Sequence, residues 1–409
     1  MTELAPIDVA IVGAGPAGLA AAVALRRTGV ARVVILERED EGGGIPRHCG
    51  HSPFGFRELG RIMTGPAYAR RLVEAALAAG AELRTRTTVV ALGADGQLEL
   101  ATEAGTSRLA ARRIILATGA RETPRSARLV GGERPLGVLN TGALQSFVQL
   151  QRLLPFRRPV VVGTELVSLS AVLTCLTAGA RPAAVIEPGD RPVARRPLDL
   201  FPRLCGIPMH YGAEIVDIRG QARVSAVTVR RRDGTLSEIA CDGVLFTGRF
   251  VPEASLVRAG HLAFDPGSGG PAIDQWGRCS DPTCFAAGNL LRPVETAGWC
   301  HREGTAIGRS VAHDLSRGLP APTPGLSVRR GAGIKLAVPQ LIVPGNGEGG
   351  LAAVQLRVAH AIAGTLAATA GGATLWQRRR SALPERRLLI PLDALGPPED
   401  AGELVIGFR

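Results

Sequence analysis

Four residues in one short stretch carry the side chains best suited to chemistry. Arg47, His48, Cys49 and His51 lie in Gly42-Gly43-Gly44-Ile45-Pro46-Arg47-His48-Cys49-Gly50-His51, a run too rich in glycine for helix or strand. The arginine suits an anionic carboxylate, and a histidine there suits a base or a hydrogen-bond donor. A second reading is equally open, in which the four residues pack around a cofactor's phosphate and ring. The spacing of His48, Cys49 and His51 resembles a chelate but lacks an evident fourth ligand, so no metal site is expected. Farther along, Cys300-His301 opens a helix, a position that could depress a thiol pKa, although a small packing residue is the plainer assignment.

The elements that must position these groups begin at the N-terminus. Asp8 to Val12 reads as a buried strand, Gly13-Ala14-Gly15-Pro16-Ala17-Gly18 as a turn, and Leu19 to Arg27 as a helix. A second strand, Arg32 to Leu36, ends in Glu37. This is G-x-G-x-x-G in the strand–helix–strand context that a dinucleotide requires. Gly13 permits the tight turn, Gly15 lets a pyrophosphate approach the backbone, and Gly18 allows the helix to pack on the strand. The helix start at Pro16 and Ala17 offers unpaired N–H groups to phosphates, and Glu37 would accept from the adenosine ribose hydroxyls. Arg38 and Gly44 adjoin this site, as do two glycine turns after strand ends, Thr118-Gly119 and Gly288-Asn289.

A second strand–turn–helix–strand unit starts at Pro159 to Gly163, continues through Leu166 to Thr177 and returns as Ala183 to Ile186. Here the fingerprint is broken: Glu165 stands at the second glycine and Ser168 at the third. A carboxylate at that place opposes a pyrophosphate by bulk and by charge, so this half should bind NAD(P) poorly. The segment Pro320 to Pro324 reads as a stiff linker. Beyond it, short alternating runs such as Ile334 to Val338, Ala353 to Val358 and Arg387 to Ile390 predict a β-rich appendage.

Composition narrows the function classes. Of 409 residues 52 are glycine, near twice the usual share of about 7%, and no Gly-X-Y period organises them. The net charge of +12 is almost all arginine, Lys335 being the one lysine, and aromatics make up only 4%, which disfavours a nucleic-acid partner. Seven cysteines without a Cys-x-x-Cys argue for reduced thiols in the cytoplasm and against a zinc ribbon, a redox pair or clustered iron–sulfur ligands. Met1 to Asp8 has no basic run, so no secretory signal is expected. The longest apolar stretch, Val9 to Leu25, is interrupted by glycines and Pro16, so no membrane span is expected either.

The order of elements resembles the two-dinucleotide-binding flavoprotein oxidoreductases of the glutathione and thioredoxin reductase type, over about residues 6 to 318. The resemblance implies an α/β fold with two Rossmann-like domains, the second inserted in the first. The FAD-binding domain would comprise 1–120 and 250–318, the inserted NAD(P)-binding-like domain 121–249, and the β-rich C-terminal domain 325–409. It implies FAD as cofactor, with Thr283 to Asn289 along the ribityl chain. Asn289 replaces the aspartate usual in that motif. Within this group, Gly43 to His51, Gly119-Ala120-Arg121-Glu122-Thr123-Pro124-Arg125 and Gly163 to Ser168 look like the FAD-binding subunits of opine, hydroxyproline and sarcosine-type dehydrogenases. The implied activity is an FAD-dependent dehydrogenase taking a hydride from a small amino or imino acid and passing electrons to a partner, in a homo- or hetero-oligomer. Two alternatives are an NAD(P)H-dependent flavin reductase and a non-catalytic electron-transfer subunit of a larger dehydrogenase.

Overall fold

The computed structural model describes residues 7–293, 295–322, 325–384, 386–396 and 402–409. The start of the N-terminal segment and the last two residues of the proline-rich linker, Thr323 and Pro324, lie outside them.

The first sheet grows from apolar runs buried on both faces, the signature of parallel strands covered by helices. Ile7–Val12 pairs parallel with Val33–Leu36 on one side and with Ala111 to Leu116 on the other. Glu82–Arg84 extends one edge, and Cys284–Ala286 pairs with Ile114 to Leu116. Sequence pattern suggests a strand only over Arg113 to Leu116, whereas the structure runs it from Gly105 to Leu116. Its polar first half is solvent-exposed and joins an antiparallel meander with Gln97–Thr102 and Thr88–Leu92. Burial distinguishes the two halves, and the apolar signal marks only the buried one.

The same plan recurs. Met209–Tyr211, Ala184–Glu187, Pro159–Val162, Gly243–Phe246 and Val138–Asn140 form, in that order, a five-stranded parallel sheet. An antiparallel meander, Ala213–Arg219, Ala226–Arg231 and Leu236–Ala240, accompanies it. A two-stranded ribbon of Ala120–Glu122 against Phe250–Pro252 stitches the chain's two crossings between these sheets. The fold is thus α/β with two Rossmann-like units, one inserted in the other.

Two helices bring the separated halves of the first unit together. Pro16–Arg27 starts three residues earlier than the apolar run suggests, because proline is favoured in a first helical turn. The long helix Ala297–Arg317 lies against it at close range. A Cβ on Gly304 would sit 2.0 Å from the Ala17 carbonyl oxygen, and one on Gly308 2.7 Å from that of Ala21. Glycine is required at both positions for this approach.

The C-terminal segment is β-rich. One sheet is ordered Leu341–Ile342, Leu326–Arg330, Gly402–Phe408, Ile362–Ala370 and Ala373–Ala382; the other is Ile334–Val338, Ala353–Val358 and Leu388–Pro391. Val354, Leu356, Val358, Leu366, Ile390 and Leu404 fill the core between them. Among the described residues, no helix is long and apolar enough to cross a membrane.

Candidate flavin site and its neighbours

The first fingerprint is built as its glycines require. Gly13 has φ +107°, and a Cβ there would lie 2.5 Å from the Ala117 carbonyl oxygen; one on Gly18 would lie 2.0 Å from that of Gly13. Gly15 differs. A Cβ on it would meet nothing within 4 Å, and the helix it precedes has no side-chain cap. Open space therefore stands in front of uncapped N–H groups, with positive helix dipole behind them, which is a cradle for phosphate. A Cβ on Gly119 would also enter open space.

Glu37 is buried at the end of its strand, where Oε2 accepts from the Ala14 N–H (2.8 Å) and Oε1 from the Glu39 N–H (3.0 Å). Each oxygen keeps a second lone pair. Arg38 lies on the surface beside Glu39. The Gly42–Gly44 run is laid on the fingerprint: Gly43 N–H donates to the Ala14 carbonyl (2.7 Å), and a Cβ on Gly44 would be 2.9 Å from Gly15 Cα. Gly288 reaches the same place from the far end of the chain, a Cβ there lying 2.8 Å from the Ala17 Cβ.

Two polar residues in this set are engaged within the protein. Thr118 Oγ1 donates to the Glu253 carbonyl (2.8 Å). Asn289 clamps its own loop, Oδ1 accepting from the Glu295 N–H (2.9 Å) and Nδ2 donating to the Glu295 carbonyl (3.2 Å).

The Arg47 to His51 stretch contains a short 3-10 helix, Ile45–His48, inside what sequence suggests is plain loop. Arg47 Nη1 donates to the Glu41 carbonyl (2.6 Å), while its Nε is buried without a hydrogen-bond partner. His48 Nδ1 is likewise buried and unpartnered, and burial, followed by the adjacent Arg47 charge, lowers its pKa. Cys49 and His51 end one directional chain of hydrogen bonds. The Cys49 thiol donates to Gln145 Oε1 (3.4 Å), Gln145 Nε2 donates to Ser170 Oγ (2.7 Å), and the Ser170 hydroxyl donates to His51 Nε2 (2.6 Å). His51 Nδ1 then faces the Ser52 carbonyl (3.2 Å), which fits a proton on Nδ1. This chain ties the first unit to two helices of the inserted one, Thr141–Gln149 and Leu166–Thr177. Gln145 and Ser170 carry no signal in sequence, because each is one of several polar residues on its helix and nothing in their spacing singles them out. Among the described residues, no group of His, Cys, Asp and Glu is arranged to hold a metal.

The environment of Cys49 and Cys300 disfavours the thiolate. Burial, then the Glu122 charge, pushes the Cys49 thiol up to about 12; burial, then Glu303, does the same to Cys300. The helix dipole at Cys300 is outweighed by burial and by two carboxylates within the next turn and the preceding loop. At pH 8 both thiols are therefore held in the protonated, weakly nucleophilic form. Native protein treated with iodoacetamide at pH 8 is accordingly expected to label first at Cys205, which is partly exposed, with Cys49 and Cys300 unmodified by peptide mass mapping. Labelling of Cys49 as fast as Cys205 would contradict this environment.

In the inserted unit Glu165 has almost the backbone of Gly15: φ −70°, ψ 172° against φ −78°, ψ −179°. Only the side chain differs, and it folds back over the strand ends. A Cβ on Gly163 would lie 2.5 Å from Glu165 Oε2 and one on Gly248 2.6 Å from Oε1. The carboxylate accepts from the Ser168 hydroxyl (3.0 Å) and the Thr247 hydroxyl (3.2 Å). Close by, Glu187 is buried and accepts from Thr164, its pKa raised by burial with Glu165 among the further causes.

An open dinucleotide cradle on one Rossmann unit, with the Glu165 side chain at the corresponding place on the other, marks a two-domain FAD-dependent oxidoreductase. Residues 7–304 match the pyridine nucleotide-disulphide oxidoreductase family, and the chain belongs to it. One opine oxidase subunit of Rhizobium meliloti is 34% identical over 182 residues, 44% of this chain and 38% of that one. The alpha subunit of sarcosine oxidase from the same organism is 26% identical over 372 residues, 83% of this chain and 33% of that one. The chain thus spans about a third of the length of either relative. Thioredoxin reductase of T. acidophilum superimposes with a TM-score of 0.62 at 22% identity, covering 76% of this chain and 98% of that one. The fold and the FAD dependence expected from sequence stand.

Proposed function

We propose that the chain oxidises a small amino or imino acid and passes the electrons through FAD to a partner protein or acceptor. The observation that carries this reading is Glu165: with its carboxylate over Gly163 and Gly248, a pyridine nucleotide has no cradle, so the electrons come from another donor. The names of the two relatives, one a component of an opine oxidase and the other of a sarcosine oxidase, supply the donor class.

Bound FAD supplies the two-electron acceptor. Gly13 to Gly18 take its diphosphate, Glu37 its ribose, and Gly44, Gly119, Gly288 and Asn289 line its path. Arg47, whose Nε lies 3.7 Å from the Glu41 carboxylate without a hydrogen bond, and His48, with a buried unpartnered Nδ1, face cofactor or substrate; His51 and Cys49 position the loop through Gln145 and Ser170. The described cysteines are all unpaired, in keeping with a reducing cytoplasm. A second reading, an electron-transfer subunit without turnover of its own, is favoured by one point: both relatives are named as subunits.

Anaerobic mixing decides against the nicotinamide alternative. NADH and NADPH are expected to leave the flavin absorbance unbleached on the timescale of seconds, whereas an amino-acid screen with an artificial acceptor finds a reductant. Glu165→Gly, which restores the second glycine on an already suitable backbone, is expected to tighten nucleotide binding at least tenfold in a fluorescence titration. Rapid bleaching of the unaltered protein by either nucleotide would sink the proposal.

A further inference from the structure

Where the C-terminal sheet meets the long helix, the protein buries a cluster of charges that the flavin site leaves unexplained. Arg292 and Glu303 are 1% and 4% exposed and pair through Arg292 Nη1 and Glu303 Oε1 (3.0 Å), with a second contact between Nη2 and Oε2. Glu303 Oε1 also accepts from the Gly288 N–H (2.7 Å). Glu295 is gripped by Arg387, which donates from Nε (3.2 Å) and Nη2 (2.5 Å), and by Arg357 Nη2. Arg357 lies on Ala353–Val358 of the three-stranded C-terminal sheet and Arg387 immediately precedes its strand Leu388–Pro391; they are 5% and 15% exposed. Arg387 also lies 3.6 Å over the Trp299 ring, whose other contact is Arg302.

Three guanidiniums thus face two carboxylates among the described residues, an excess of one buried positive charge. Buried charge is costly unless matched by a counter-charge and hydrogen bonds. Arg357 Nε and Arg387 Nη1 are buried without hydrogen-bond partners, and so is Gln355 Oε1, two residues along the same strand as Arg357. Two donors and one acceptor are therefore unused on residues that already hold Glu295 and Glu303, Gln355 Nε2 donating to Glu303 Oε2 (3.3 Å). The helix end itself is not the vacancy, since the Glu58 carboxylate already approaches Gly298, a Cβ there lying 2.4 Å from Glu58 Oε2.

We propose that Arg357 and Arg387, held by the C-terminal sheet against Trp299, form a binding site for the carboxylate of a small amino or imino acid, with Gln355 Oε1 accepting from its nitrogen. A carboxylate there removes the charge excess and uses the free donors in charge-assisted bonds. On this assignment the C-terminal segment completes the substrate site. The amino-acid identity rests on the function proposed above; the carboxylate site does not.

Acetate is the probe, with acetamide as its neutral isostere, titrated into the purified flavoprotein while Trp299 emission is followed as the difference between the unaltered protein and Trp299→Phe. Acetate is expected to give a saturable change and acetamide none. Arg387→Met should weaken acetate at least tenfold, with Arg387→Lys between the two; circular dichroism establishes that each variant is folded, and Arg357 and Arg292 still hold Glu295. An absent acetate response, or one unchanged in Arg387→Met, overturns the site. The amino-acid screen separates the two readings. Acetate binding lost in Arg387→Met without any amino-acid turnover keeps the site and removes the substrate reading. Turnover with an unchanged KM in Arg387→Met does the reverse.

Discussion

Gly15→Val is expected to give a folded protein with almost no flavin. The position tolerates a side chain sterically, since its φ of −78° is open to any residue and a Cβ meets no protein atom within 4 Å. The space that Cβ enters is the one left for phosphate, so the substitution removes the close approach on which binding at a helix N-terminus depends. FAD retained after gel filtration should fall below about a tenth of the unaltered protein's, each tenfold step in affinity being worth ~1.4 kcal/mol. The melting temperature should equal that of unaltered protein stripped of FAD, because bound ligand stabilises by mass action and its loss is the only change. Gly18→Ala is the contrasting case. Its Cβ would overlap the Gly13 carbonyl oxygen at 2.0 Å, so the fold itself is destabilised, by about 1–3 kcal/mol or more. Full flavin content in Gly15→Val, or an unfolded protein, would refute the assignment.

The second large effect is expected from Arg292→Met. Arg292 is the largest fully buried side chain among those described, and removing it leaves Glu303 in the interior with only the Gly288 N–H and Gln355 as partners. Breaking one side of a buried ion pair costs about 3–5 kcal/mol, far more than an exposed pair is worth. The urea midpoint followed by circular dichroism should drop accordingly, and flavin release should accompany it because Glu303 holds the Gly288 turn. Adding Glu303→Gln removes the stranded charge while keeping an acceptor for Gly288, so the double variant should recover at least half the loss. A single variant with a midpoint shift worth under about 1 kcal/mol would show that the pair does not hold this corner together.

What could be read in advance follows from how local each signal is. The strand, turn and helix around Gly13, Gly15 and Gly18 occupy one contiguous segment, and each glycine answers a backbone need within it, so fold class and cofactor are both legible there. The broken fingerprint at Glu165 is legible for the same reason, and the structure adds that its backbone still matches the intact one. The Arg47 to His51 loop is only partly readable. Its composition marks it as unusual, but the division of Cys49 and His51 from Arg47 and His48 depends on Gln145 and Ser170, about a hundred residues away.

By itself, then, the sequence determines the two Rossmann units, the intact glycine fingerprint on the first and the broken one on the second, because these are properties of short backbone segments with fixed glycine spacing. Only the tertiary structure decides that Cys49 and Cys300 are buried thiols with raised pKa values and that Arg292, Glu295, Glu303, Gln355, Arg357 and Arg387 meet beside the long helix. The reason is physical. A thiol's acidity is set by burial and neighbouring charge, and a long guanidinium side chain can pair with any carboxylate that folding brings near, so neither leaves a pattern in the order of residues.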